Sequence, residues 1–438
     1  MQNKNILIIT PFFAPETHAA VFRAHKLVKY LKREGWNPVV ITVDTNYNYN
    51  EDITLLDDLK EVEIHRTKYI EPSLRGLFMW FTGKDRTFKT LKKEEFFNKD
   101  NKISSIKSEA KISFKQKVYN YLLDNWLNSP DRFWTWKKSA VKKANQLIKD
   151  KKIEFVYTTM PPFTTGEIGL KIKKQNPNIK WIADFRDPMT TVLKNHSKIK
   201  RVHDLQIKIE KSVFNECNQI ITASEAHKLI INDSNGGVYN DKIKFIPTGL
   251  DDEFIPNISI EKEEYLVFVG EFLNEYSIYI FDLIYKYNSL FNSDLKIKII
   301  GNKLINQERI LSKMIDAETL GIIEFIDHIN QKDLYSFIKK SKAGILMTNY
   351  LWWCTFAKMV DYIALQVPVI ALVPEISEAR TQLTKANLGV FLTNDIEKDL
   401  KKMNDFLQNN QIKAKTEFCS HYLATSQVNK FIQIIAEL

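Results

Sequence analysis

The sequence predicts an α/β protein built as two Rossmann-like domains in series, facing one another across a cleft. Three observations carry this. Short apolar runs of strand length alternate with stretches of helical period. The alternation stops at a turn-rich, acidic linker and then restarts. A chain of 438 residues is also longer than one ordinary core accommodates.

Asn5 to Ile9 is a continuous apolar run, the pattern of a parallel strand buried on both faces. The loop TPFFAPETHAAV follows. Phe22 to Glu34 then places Phe22, Leu27, Val28 and Leu31 at helical spacing and stops at Gly35. Pro38 to Val43 is the next strand, and strand, helix, strand at this spacing dictates a parallel sheet. Val62 to Arg66 reads as a third strand. Residues 72–135 break the alternation: Leu74, Leu77, Phe78, Met79, Trp80 and Phe81 give way to lysine-rich sequence, read as a basic helical insertion. The alternation resumes with helix 136–150, strand 155–157, helix 165–175, strand 181–183, helix 200–216, strand 219–222, helix 225–233 and strand 244–246. Pro247 to Pro256, PTGLDDEFIP, is read as the link between domains. Strands 265–269, 295–300, 322–326, 343–347 and 369–372 follow, separated by helices. The expected domains are 1–250 and 251–415, with a C-terminal helix over 416–438 packing back toward the first domain.

Composition narrows the class. Cys217, Cys354 and Cys419 lie far apart, with no C-x-x-C pair, so neither a disulfide framework nor a zinc site is expected. A reducing, cytoplasmic setting fits. MQNKNILIITPFF is a strand rather than a signal peptide, and no run of about eighteen apolar residues predicts a membrane span. The net charge is +10. Residues 75–117 hold much of the excess, with 12 Lys or Arg against 5 Asp or Glu. Such a surface suits anionic lipid or phosphorylated ligands. The same lysines also serve as the wet side of a packed helical arm. No nucleic-acid-binding module is visible.

In doubly wound sheets ligands sit at the carboxyl ends of strands, so the loops after strands hold the candidates. G-x-G-x-x-G and Walker patterns are absent, which argues against a dehydrogenase or a P-loop NTPase. DFRDPM places Asp184, Arg186 and Asp187 within four residues. This loop offers either a general base beside an anion clamp, or an internal ion pair that stiffens a turn. TTMPPFTT, Thr158 to Thr165, reads as a rigid paired-proline turn. Gly270 and Gly301 end strands where a missing side chain lets a ligand approach the backbone. Glu271 beside Gly270 is a ligand contact or a helix-cap carboxylate. Thr17 and His18 lie in the first loop, where they contact ligand hydroxyls or phosphates or are simply solvated. His328 follows the strand ending at Ile326. In LWWCTFAKMVDYIALQVPVIAL, Lys358 and Asp361 stand three apart in an otherwise apolar helix, which puts them on one face.

Over nearly its whole length the chain resembles bacterial glycosyltransferases of the GT-B fold, close to glycosyltransferase family 4. ILIITPFFAPET with RAHKLVKYLKREG is similar to that family's opening strand, loop and helix. FIPTGLDDEF resembles its interdomain linker, VFVGEF and IKIIG its glycine-ended strands, and KMVDYIALQVPVIAL its nucleotide-sugar segment. The resemblance implies transfer of a sugar from a nucleotide diphosphate donor, UDP among the candidates, to a glycan or lipid-linked acceptor held by the first domain. It implies that Asp361 holds the ribose, that Lys358 faces the pyrophosphate, and that His328 lies near the base. It also implies a reaction without a bound metal or other cofactor, in surface polysaccharide or glycoconjugate synthesis, by a cytoplasmic protein peripheral to the inner face of the membrane.

Departures from the family pattern bear on donor choice. Trp353 stands where many relatives have a glutamate contacting the donor sugar. Val367 replaces the glycine before Pro368, His18-Ala19-Ala20 replaces a glycine pair, and Glu271 replaces a basic residue. A retaining outcome is the family default, and an inverting one would use Asp187 or Asp184 as base. Two other classes stay open. One is a non-catalytic GT-B subunit that binds a partner or glycan, and the other is a sugar-nucleotide epimerase on the same fold.

Overall fold

The computed structural model describes residues 4–17, 19–44, 51–72, 127–191, 196–256, 261–313, 317–348, 351–409 and 412–438. Most of the expected insertion, residues 73–126, lies outside them, as does His18. The chain divides into two compact units. Unit 1 comprises Met1–Thr222, Asn232–Lys244 and Glu437–Leu438; unit 2 comprises Ala223–Ile231 and Phe245–Ala436.

Unit 1 is built on a seven-stranded sheet. Its strands are β1 (Asn5–Ile9), β2 (Asn37–Val43), β3 (Glu63–Thr67), β4 (Phe155–Met160), β5 (Lys180–Phe185), β6 (Gln219–Thr222) and β7 (Ile243–Phe245). Their spatial order is β3-β2-β1-β4-β5-β6-β7. The pairings from β3 through β6 are parallel. Every residue of β4 is buried, as a strand covered on both faces requires. The covering helices include α1 (Ala19–Arg33), α2 (Lys137–Lys151), α3 (Phe163–Gln175) and α4 (Lys200–Glu216).

Helix α1 buries Ala20, Val21, Ala24, Val28 and Leu31 on one stripe. It ends at Gly35, whose φ of +74° is the left-handed conformation that favours glycine. Trp36 N–H donates to Leu31 O and Gly35 N–H to Lys32 O, so two terminal carbonyls are satisfied. Helix α3 starts two residues earlier than the sequence pattern predicts. The cause is remote: the Asp131 carboxylate accepts from both the backbone N–H and the hydroxyl of Thr164, each at 2.7 Å. A cap supplied 33 residues upstream leaves no local signal.

Unit 2 carries a six-stranded parallel sheet of β8 (Tyr265–Val269), β9 (Lys296–Ile300), β10 (Ile323–Ile326), β11 (Ala343–Met347), β12 (Val369–Leu372) and β13 (Gly389–Phe391), in the order β10-β9-β8-β11-β12-β13. The three-residue β13 escapes the sequence pattern because it is too short to show a period. Its helices begin with α5 (Glu225–Ser234), of which the part through Ile231 belongs to this unit, followed by α6 (Tyr279–Phe291), α7 (Lys303–Leu311), α8 (Ala317–Leu320), α9 (Gln331–Lys340), α10 (Ala357–Ala364), α11 (Glu378–Ala386) and α12 (Ile396–Asn409). The start of α5 is held by the buried Glu378, which accepts from Glu225 N at 3.0 Å, Ala226 N at 2.9 Å and the Gln382 side chain at 3.0 Å.

The C-terminal segment is two helices rather than one, α13 (Thr416–Ser420) and α14 (Ala424–Ala436). Between them the chain exchanges backbone hydrogen bonds with Leu250: Leu250 N–H to Tyr422 O and Ala424 N–H to Leu250 O, both 2.8 Å. The Asp252 carboxylate then caps α14 by accepting from Ala424 N at 2.7 Å. The segment read as a linker therefore interrupts the tail helix and restarts it.

Candidate functional site

In unit 2 the strand order reverses between β8 and β11. A doubly wound sheet opens its crevice at that point, outside the carboxyl ends of the strands. Helix α10, which follows β11, lies over this junction. The Tyr362 hydroxyl is 3.1 Å from Val267 O on β8 and 3.4 Å from Ile345 O on β11. Burial first, and the neighbouring Asp361 carboxylate second, raise its pKa, so it remains a donor. Gly344 makes the close approach possible: a Cβ there would lie 2.6 Å from Tyr362 ring carbons.

Lys358 stands in the first turn of α10 and Asp361 follows one turn later. Lys358 Nζ is 3.3 Å from Asp361 Oδ2, and the side chains are 33% and 13% exposed. The first turn carries no acidic residue, and Phe356 at the N-cap supplies no side-chain acceptor. The helix dipole and the Lys358 charge therefore act in the same sense and favour an anion. Asp361 offers a half-sheltered acceptor beside it. Its charge also adds to burial in raising the pKa of the Tyr335 phenol.

The two strand-end glycines meet. A Cβ on Gly301 would lie 2.5 Å from Gly270 O. Gly270 has φ +120°, and no heavy atom lies within 4 Å of where its Cβ would stand, so this backbone faces open space. The fully buried Asn306 fixes the loop, donating to Gly270 O at 2.9 Å and accepting from Phe272 N at 2.7 Å. Glu271 turns to Arg309 in a surface ion pair of 3.3 Å. His328 is exposed beyond the edge strand β10. Strands β9 and β8 separate that edge from β11, roughly 14 Å at ordinary strand spacing. Trp353 is buried at 8% exposure, whereas its neighbour Trp352 is 42% exposed. Thus Lys358 and Asp361 lie over the β8–β11 junction, Gly270 and Gly301 follow the neighbouring strands β8 and β9, and His328 follows the edge strand β10, where Gly301 N–H donates to Ile326 O at 3.1 Å.

In unit 1 the order reverses between β1 and β4. On β5, beside β4, Asp184 is fully buried. Arg23 grips it through Nε at 2.9 Å and Nη2 at 2.6 Å, and the Tyr157 hydroxyl donates to it at 2.6 Å. The ion pair holds Arg23 firmly charged against the cost of burial, and burial with the adjacent carboxylate keeps Tyr157 protonated. Asp187, beyond the strand end, is 37% exposed and 3.5 Å from Arg186 Nε. Arg186 also donates through Nη2 to Pro161 O at 2.8 Å and lies over the Phe12 ring at 5.7 Å, while its buried Nη1 has no hydrogen-bond partner among the described residues. Thr17 lies in the loop after β1, half-buried.

The sequence alone points to no role for Arg23 or Tyr157. One signal was available for Arg23: it shares the buried stripe of α1 with Ala20, Ala24 and Val28, and a charge at a core position requires a partner. Asn306 left no signal beyond its position in an amphipathic helix. Among the described residues, no group of three His, Cys, Asp or Glu side chains is placed to hold a metal ion.

The chain matches no family model and no curated protein. Solved structures are similar over its full length. A glycosyltransferase from Rickettsia africae ESF-5 shares 13% identity at a TM-score of 0.59, covering 100% of this chain and 99% of that one. Anabaena HepE, in complex with UDP and glucose, shares 9% identity at 0.59, covering 99% of each chain. UDP-GlcNAc 2-epimerase from Methanocaldococcus jannaschii shares 10% at 0.52, covering 99% of each. The fold is GT-B, with its two Rossmann-like units.

Proposed function

We propose that the protein is a glycosyltransferase that moves a sugar from a nucleoside-diphosphate donor to a glycan or lipid-linked acceptor in bacterial surface polysaccharide or glycoconjugate synthesis. The observation that carries this reading is the Lys358–Asp361 pair on α10, over the β8–β11 junction. A carboxylate accepts from two vicinal hydroxyls, which suits a ribose. An ammonium at an uncapped helix start suits a diphosphate. As the glycosidic bond to the diphosphate breaks, negative charge grows on the leaving oxygen. Lys358 and the first-turn N–H groups of α10 are the fixed positive ends that stabilise it. On this reading the reaction needs no metal. The open backbone at Gly270 leaves room for the donor.

In unit 1 the two aspartates take different parts. Asp184 spends its carboxylate on Arg23 and Tyr157, and it positions the loop. Asp187 is open to solvent, which suits a group that takes the proton of an acceptor hydroxyl in an inverting reaction. Arg186 orients it. Residues 75–117 supply basic charge for an anionic membrane surface or a lipid-linked acceptor. Among the described residues no helix is long and apolar enough to cross a membrane.

A panel of nucleotide sugars tests this by thermal shift. A donor present at 100 times its Kd stabilises the native state by about 2.7 kcal/mol. One nucleotide class should raise the melting temperature, and no response across the panel overturns the reading. The similarity to a sugar-nucleotide epimerase gives the second reading. It requires a new epimer to form from the donor alone, whereas a transferase forms product only with acceptor.

A further inference from the structure

The carboxyl ends of β11, β12 and β13 frame a cavity of about 480 Å³ whose walls include neither Lys358 nor Asp361. Thr348, Leu372, Glu375, Arg380, Thr393 and Asn394 line it, and all belong to unit 2. Arg380 is held in place before any ligand arrives. Its backbone N–H is fixed by the Ser377 hydroxyl at 3.2 Å, and its guanidinium lies over the Phe391 ring at 4.4 Å. Among the described residues it has no carboxylate partner. Among the described residues Thr348 Oγ1, just past the end of β11, is buried and also lacks a hydrogen-bond partner. By contrast Thr393 is fully engaged, donating through its N–H and hydroxyl to the buried Asp399 at 2.8 to 3.0 Å. The cavity wall is therefore rigid on the Thr393 side, with Thr348 Oγ1 unsatisfied and the Arg380 guanidinium without a carboxylate partner among the described residues.

We propose that this cavity binds a small hydroxylated anion, a sugar or polyol bearing a carboxylate or a phosphate. A guanidinium held over an aromatic face can present its planar fork to such a group. A buried hydroxyl without a partner loses its hydration and gains nothing until a ligand hydroxyl reaches it. The volume lies in the range of small-molecule sites. Glu375, the one carboxylate among the lining residues, is exposed, so water screens it from the anion. The proposal does not rest on the donor reading, because it uses a different set of side chains.

Calorimetric titration of the full chain with inorganic phosphate, glucuronate and glucose tests it. One of the two anions should bind and neutral glucose should not. Phosphate or glucuronate as the binder identifies the anionic group. Arg380→Gln should weaken that binding about tenfold or more, and Arg380→Lys, which keeps the charge but loses the fork, about threefold. Thr348→Val should weaken it about threefold. Lys358→Ala, which disables the nucleotide pair, should leave the part of that binding that depends on Arg380 unchanged. Far-ultraviolet circular dichroism checks that each variant folds, and Thr348→Val reports alone if the Arg380 variants do not. The proposal is overturned if neither anion binds at about 10 mM, if glucose binds equally well, or if folded Arg380→Gln and Thr348→Val bind like the wild type.

Discussion

The Arg23 guanidinium and the Asp184 carboxylate meet through two nitrogens, at 2.9 and 2.6 Å, with side chains only 9% and 0% exposed. Removing one member leaves the other charged in a dry site. Arg23→Ala should cost about 3–5 kcal/mol of stability. The double change Arg23→Met with Asp184→Leu should cost less than the single one, because no charge is stranded. Urea denaturation measures both. Equal losses would mean that the pair is not the buried contact described.

Glu378 gives stability a defined pH dependence. Burial outweighs its three N–H donors and holds its carboxyl above the ordinary value of 4.5. With the folded pKa above the unfolded one, the native state binds more protons. The contribution is then full below 4.5 and is lost as pH rises through the folded pKa. Glu378→Gln should flatten the decline of melting temperature between that range and neutrality. An unaltered slope would assign the dependence to other groups.

Much of this architecture is legible in the sequence for a simple reason. Strands such as Tyr265–Val269 and Ala343–Met347 are buried on both faces, so they are continuous apolar runs. What depends on distant partners is not legible. The Asp131 cap on α3 and the Arg23 grip on Asp184 span 33 and 161 residues. DFRDP shows two aspartates that look alike. Only the register, with Asp184 opposite Thr159 inside the sheet and Asp187 past its end, separates a buried anchor from an open carboxylate. Lys358 and Asp361 were readable because helical spacing alone puts them on one face.

Lys358 is assigned to the diphosphate, so its removal should discriminate among ligands. Lys358→Ala should weaken a nucleoside diphosphate by about tenfold or more, the value of a charge-assisted contact, and leave the parent nucleoside nearly unchanged. Raising salt should shrink the difference. Equal losses for both ligands would place Lys358 elsewhere than at the phosphates.

Asp187 is assigned to proton removal in unit 1. Asp187→Asn should lower kcat by about 10²–10⁴-fold without changing nucleotide affinity. A variant that turns over normally would exclude Asp187 as the base.

The central claim is that Asp361 holds the ribose of a nucleoside-diphosphate donor. Calorimetric titration of a nucleoside-diphosphate panel into the wild-type chain and into folded Asp361→Ala tests it most directly. The wild type should bind one member, and the variant should bind it about 10–150-fold more weakly, the loss expected for hydrogen bonds to a charged acceptor. Equal affinity in the two proteins, or no binding by the wild type to any member, would contradict the assignment.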